Sequence, residues 1–233
     1  AVAFLKGTDP NDKRIFLIGG HLDSRVTDVM NRTSIAPGAN DDGSGVSAVI
    51  ESARILSKSS FPASIIFVAF SGEEQSLLGS KQLAEKIKRE NLQLEAVLNN
   101  DMIGNPKAGE TGEINTRILR VFSEGMPYKD LDKKAMTIRN LGFENDSESR
   151  QLARYIKEIT EQYVKGLEIK LIYRNDRFLR GGDHTSFVNN GFPSVRLTEY
   201  YENYDHQHQD IRTENNKKYG DLPEFIDFKY LKK

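Results

Sequence analysis

Apolar positions along this chain fall into two alternating kinds of segment. Residues 15–18 (IFLI) form a short apolar run that stops at Gly19 and Gly20, the pattern of a buried strand handing over to a loop. Residues 64–70 (SIIFVAF) are β-branched and aromatic and read as a central strand. Residues 95–98, 169–173 and 194–197 predict further strands, and 114–122 alternates with the period of two. Between these runs the apolar spacing becomes helical. Val46, Val49, Ile50, Ala53 and Leu56 share one face of a helix over 44–56, and Leu77, Leu78, Leu83 and Ile87 one over 71–88. A long helix over 147–164 and a short one after Asp183 complete the series.

Strands that alternate with helices imply an α/β fold, a three-layer sandwich with a mixed, largely parallel central sheet, whose ligands gather outside the carboxyl ends of the strands. At 233 residues, with no repeat or low-complexity linker, the chain reads as one domain over 1–233. It opens on AVAFLKG, which lacks the regions of a signal peptide, and it stops abruptly at Lys233, so both ends read as trimmed.

Charge and composition narrow the chemistry. Thirty-three basic and thirty-four acidic residues leave a formal charge of -1, which gives no electrostatic footprint for nucleic acid or an anionic membrane. No apolar run approaches the roughly 18 residues of a membrane-spanning helix. Without cysteine, a metal site has only His, Asp and Glu to draw on.

His21, Asp41, Glu73, Glu74 and Asp101 each lie at or beside a predicted strand end, so the fold should carry them to one rim. Taken singly each has an ordinary explanation. His21 and Asp23 form an HxD that alone is a loop, Asp41 and Asp42 precede a helix as caps do, and Ser71 with Glu74 spells a capping box. Their occurrence in order at successive strand ends is what points to metal, and imidazole plus carboxylate without sulfur suits a catalytic zinc site.

The series GGHLDS (19–24), PGANDDGSG (37–45), FSGEEQSLLGS (70–80), NNDMIG (99–104) and GGDHTSF (181–187) resembles the dinuclear zinc aminopeptidases, the bacterial leucyl and vacuolar aminopeptidase-like metallopeptidases. Plasma glutamate carboxypeptidase and glutaminyl cyclase are relatives of that group. The resemblance runs from about Ile15 to Asp227 and implies a zinc-exopeptidase fold holding two Zn²⁺ per chain. His21 and Asp101 would bind one zinc, Glu74 and a C-terminal histidine the other, and Asp41 would bridge them. Glu73 would be the general base, acting on a water shared by two metals roughly 3.5 to 4 Å apart. Asp23 would be the carboxylate that fixes the other nitrogen of His21.

The resemblance further implies a cis peptide between Asp41 and Asp42, a peptide substrate with a free N-terminus, and a secreted or periplasmic location. Gly43 and Gly45 would allow close packing beneath the metals, and Gly181 and Gly182 an approach of backbone to substrate. For the remaining ligand, YDHQHQD offers His206 and His208, both ahead of Asp210, whose carboxylate would orient an imidazole; in a strand-like segment the two would share a face. Many simpler relatives carry an HxxxD arrangement here, which would select His206, whereas the stretch QHQDIRTENNKKYGD (207–221) resembles a branch in which the position of His206 is often arginine, which favours His208. Three rival readings stand beside the aminopeptidase. They are a one-zinc glutaminyl cyclase, a carboxypeptidase using Arg177 or Arg180 as a carboxylate clamp, and a metal-free receptor-like module.

Overall fold

The computed structural model describes residues 1–125, 133–143, 145–175 and 181–233; Arg177 and Arg180 lie outside them. In chain order the elements are β1 (Val2–Leu5), β2 (Arg14–His21), α1 (Gly43–Leu56), β3 (Ser64–Phe70), α2 (Leu78–Arg89), β4 (Gln93–Asn100) and β5 (Ile118–Ser123). They continue with α3 (Lys133–Leu141), α4 (Glu148–Tyr163), β6 (Glu168–Ile172), α5 (Asp183–Val188), β7 (Ser194–Glu199), β8 (Arg212–Glu214), β9 (Lys217–Tyr219) and α6 (Phe228–Leu231).

Seven strands form one sheet in the order β1-β3-β2-β4-β7-β5-β6, and β8 and β9 form a separate hairpin. Strands β2, β3, β4 and β7 run parallel to one another. β1 and β5 are antiparallel to their neighbours β3 and β7, and β6 is parallel to β5. The chain leaves β2 toward β3 on one side and later returns to place β4 on the other. The carboxyl end of β2 therefore lies at a switch point, where open α/β sheets form a crevice.

Side-chain alternation divides the core between two faces. Ile18 pairs with Phe67 and packs with Val49, Ala53 and Leu56 of α1. Its neighbour Leu17 pairs with Ile66 and packs with Ala84 and Ile87 of α2 and Phe187 of α5. Across the sheet, Leu98 and Val195 lie in register with Ile18 and meet Ala153 of α4. Helices α1 and α4 thus cover one face and α2 and α5 the other, which gives three layers. Among the described residues no helix is long and apolar enough to cross a membrane.

Two predicted elements begin late. The strand expected over 114–122 starts at Ile118. The helix expected over 71–88 starts at Leu78, and the Ser71–Glu74 capping box does not cap it. Gly72, Ser76 and Leu77 all have left-handed φ (73°, 78° and 62°), which interrupts a helical path. The N–H groups of Glu73 and Glu74 are instead taken by the Asp23 carboxylate, at 3.1 Å each. Residues 71–77 are therefore a loop that carries two acids to the sheet edge.

Candidate metal centre

The parallel strands β2, β3, β4 and β7 end on one edge of the sheet, and the loops that follow them carry the site. His21 closes β2 and is 1 % exposed. Asp41 lies just before α1, Glu73 and Glu74 follow β3, Asp101 follows β4, and His208 sits in the loop after β7.

Asp42 ties three of these segments together. Its carboxylate accepts the N–H of Gly45 (3.0 Å) as the N-cap of α1, the N–H of His21 (2.9 Å) and the N–H of Met102 (3.2 Å). The approach is so close that a Cβ at Gly45 would lie 2.4 Å from the Asn100 carbonyl oxygen. This is the close packing expected of that glycine. The Asp41–Asp42 peptide is cis, as expected.

Asp41 stands between two donor groups. One of its oxygens is 3.0 Å from His21 Nε2; the other is 3.0 Å from His208 Nε2, which is itself 2.7 Å from Glu74 Oε1. His21, Asp41 and Asp101 form one compact cluster of potential ligands, and Asp41, Glu74 and His208 form a second. All five predicted ligands are thus brought together, with Asp41 common to both clusters. Between them is a cavity of about 20 Å³, also walled by Glu73, Arg196 and Gln207, enough for a water-sized or ion-sized guest.

The charges of this pocket are strongly interdependent. Burial opposes ionisation of Asp41, yet hydrogen bonds from His208 and His21 hold its carboxyl well below the usual range. Burial disfavours charge on His21, but the Asp42 carboxylate and Asp41 raise it well above its ordinary value. His208 is likewise raised by hydrogen bonds to Asp41 and Glu74 against the effect of burial. Glu73 is pushed up to about 9, first by burial and then by the charge of Asp101. A pocket that forces protons onto a glutamate and two histidines has the donor set and the excess of acid that divalent cations satisfy.

Asp23 acts differently from expectation. Its carbonyl oxygen, rather than its carboxylate, meets His21 Nδ1 at 2.9 Å. The carboxylate is committed to the N–H groups of Glu73 and Glu74, because the left-handed loop points both amides at it. The orientation of His21 and the placement of the two glutamates therefore both depend on this residue.

The two C-terminal histidines diverge. Residues 201–211 form turns rather than a strand-like segment, and His208 has a left-handed φ of 57°. His206 is turned to other company: its ring stacks on Phe225 with centroids 3.6 Å apart, and Nδ1 lies 3.1 Å from Asn105 Nδ2. It belongs to neither donor cluster. Nδ1 of His208 meets Arg25 Nη2 at 2.8 Å, where Asp210 was expected.

Four residues beside the site were not singled out by motif. Arg25 bridges His208 and Glu74, with its Nε 3.2 Å from the carboxylate. Arg196 of β7 is buried and donates to Asp101 at 3.1 Å. Gln207 donates to Asp41 at 3.0 Å, and Asp221 accepts the backbone N–H of Asp41 at 2.7 Å. Each acts through a distant partner, which leaves no trace in local sequence.

Known proteins resemble this chain over nearly its whole length. A probable zinc metalloprotease from Leptosphaeria maculans is 47% identical over 229 residues, covering 98% of this chain and 53% of that protein. A second, from Pyrenophora tritici-repentis, is 46% identical over 228 residues, 97% of this chain and 47% of that protein. The chain thus spans about half the length of these curated relatives. Among solved structures, a Legionella pneumophila LapA aminopeptidase superposes with a TM-score of 0.67 at 21% identity, covering 99% of this chain and 49% of that one. Porphyromonas gingivalis glutaminyl cyclase gives 0.60 at 20% identity, covering 99% and 72%. These structural likenesses carry the fold: a mixed seven-stranded sheet between helices. The sequence pattern of Peptidase family M28 matches residues 1–224, nearly the whole chain, and the chain belongs to that family.

Proposed function

We propose that this chain is the catalytic domain of a zinc-dependent exopeptidase, an aminopeptidase that hydrolyses the N-terminal peptide bond of its substrate. The observation that carries the reading is the sharing of Asp41 between two clusters of ligands. His21 and Asp101 would hold one zinc, Glu74 and His208 the other, with Asp41 between them. The relatives named as probable zinc metalloproteases and the aminopeptidase neighbours support the metal and the substrate class.

Bound there, two zinc ions supply Lewis acidity and bring the pKa of water down toward about 7. The protein's own groups do the rest. Glu73 walls the cavity without belonging to either ligand cluster. With cations offsetting Asp101 it would take the proton of the attacking water and return it to the departing amine. Asp23 holds the N–H groups of Glu73 and Glu74 side by side, which keeps the base and the ligand in fixed relation. Arg196 keeps Asp101 oriented from the far wall.

Elemental analysis combined with activity on a panel of aminoacyl chromogenic amides, with and without chelator, tests the reading. Two zincs per chain and chelator-sensitive release of the amine are expected. Full activity with one zinc, or cyclisation of N-terminal glutamine in place of hydrolysis, would favour the cyclase. No zinc and no turnover would favour a binding module.

A further inference from the structure

Asp221 lies just beyond the β8–β9 hairpin and bonds to the backbone that leads into Asp41. Its carbonyl oxygen accepts the N–H of Ala39 at 3.1 Å. Its Oδ2 accepts the N–H of Asn40 at 2.9 Å and that of Asp41 at 2.7 Å. One residue therefore pins three successive backbone amides that end at Asp41. The chain reaches this position through Gly220, whose φ of 105° suits glycine. Asp221 is 7% exposed, and its Oδ1 has no hydrogen-bond partner among the described residues. Its side-chain hydrogen bonding is thus concentrated on those two N–H groups.

Asn40, the middle residue of the three, is fixed by its other groups as well. Its side-chain amide donates to Glu199 at 2.9 Å and its side-chain oxygen accepts from Gly104 at 2.9 Å. Its carbonyl accepts the Ser44 hydroxyl at 2.8 Å. Neither Asn40 nor the Asp41 backbone can turn without breaking bonds to Asp221. A ligand shared by two metals tolerates little rotation, since any swing that favours one cluster leaves the other.

We propose that Asp221 is a positioning residue for the metal centre, holding the Asn40 and Asp41 amides so that the Asp41 carboxylate faces both donor clusters at once. This rests on the reading of Asp41 as the shared ligand. Carboxylate-to-amide bonds are among the stronger hydrogen bonds, and partners that orient a ligand typically govern metal affinity by about 10- to 100-fold. The segment that delivers His208 and Gln207 to the site also delivers Asp221, so ligand and support arrive together.

The test is zinc affinity of the full chain, measured by competition with a chromogenic chelator, for the parent, Asp221→Ala and Asp221→Asn. Thermal melting of the metal-free forms serves as the control for folding. Asparagine keeps one oxygen for both N–H groups and places its amide where Oδ1 has no partner. Asp221→Ala should weaken both zincs together by about 10- to 100-fold, while Asp221→Asn stays close to the parent. Parent-like affinity in Asp221→Ala, loss at one zinc alone, or equal loss in Asp221→Asn would overturn the proposal. If Asp221→Ala does not fold, cobalt-loaded Asp221→Asn decides: a parent-like visible spectrum supports the proposal and an altered one refutes it. A parent that takes only one zinc would refute the shared-ligand reading, and this proposal with it; failure of the variants alone leaves that reading standing.

Discussion

Nε2 of His208 stands 3.0 Å from a carboxylate oxygen of Asp41. The histidine two residues earlier instead stacks on Phe225 and bonds to Asn105. His208→Ala should lower zinc content and abolish turnover. His206→Ala should keep two zincs and lose only stability, ~1 kcal/mol for a stacked ring. Zinc analysis of the two purified variants checks this, and the opposite pattern would make His206 the ligand.

Glu73 walls the cavity but belongs to neither donor cluster. Glu73→Gln should therefore retain both metals while kcat falls by about 10²- to 10⁴-fold, the usual contribution of a general base. Loss of zinc from this variant, or near-normal turnover, would reverse the roles assigned to Glu73 and Glu74.

Asp183, fully buried at the start of α5, is raised to about 7 by burial, with the Ser80 hydroxyl acting in the opposite sense. Its ordinary value is 3.8. Between those two values the folded chain keeps a proton that the unfolded chain has released. Stability from this group is therefore complete below the lower value and is lost as pH rises through the upper one, at up to about 1.4 kcal/mol per pH unit. Asp183→Asn mimics the protonated form and should remove that slope. Urea unfolding of the metal-free parent and variant across this window measures it, and identical slopes would mean that Asp183 is ionised in the fold.

Phe187, also in α5, is fully buried and meets Phe70 with ring centroids 5.9 Å apart. Truncation to alanine leaves a cavity between α2, α5 and the sheet, and should cost about 3 to 5 kcal/mol. A loss below about 1 kcal/mol in denaturant unfolding would contradict the packing described for this face.

The sequence made some of this structure legible for identifiable reasons. Strand β3 is apolar after Ser64 and shows its observed bounds in sequence, and α1 and α4 declare themselves within a residue or two. Strand β1 was missed because its four residues are largely exposed and too short to show a period. The β8–β9 hairpin was missed because both strands are polar, although Asn215 and Asn216, with φ of 50° and 62°, are the residue type that such turns favour. At the site, four of the five candidate ligands were marked by glycine-containing motifs. Arg25, Arg196, Gln207 and Asp221 were not, because what makes each of them matter is a partner far away in the chain. The Asp23 carboxylate departs from expectation for a related reason: the left-handed turns at Gly72, Ser76 and Leu77 that aim two amides at it are not encoded by apolar spacing.

Strand β7 separates two groups of strands that are hydrogen-bonded into one sheet only through it, β1-β3-β2-β4 on one side and β5-β6 on the other. It is also among the last strands to be made. As the chain emerges from a ribosome, four of the five candidate ligands are out once Asp101 has passed, but the strand that joins the two groups, the fifth ligand and the carboxylate behind Asp41 follow only on the order of ten seconds later. Until β7 is made, no strand of the sheet joins β5 and β6 to β4. Closure of the sheet and delivery of the fifth candidate ligand thus both wait on residues 194–208.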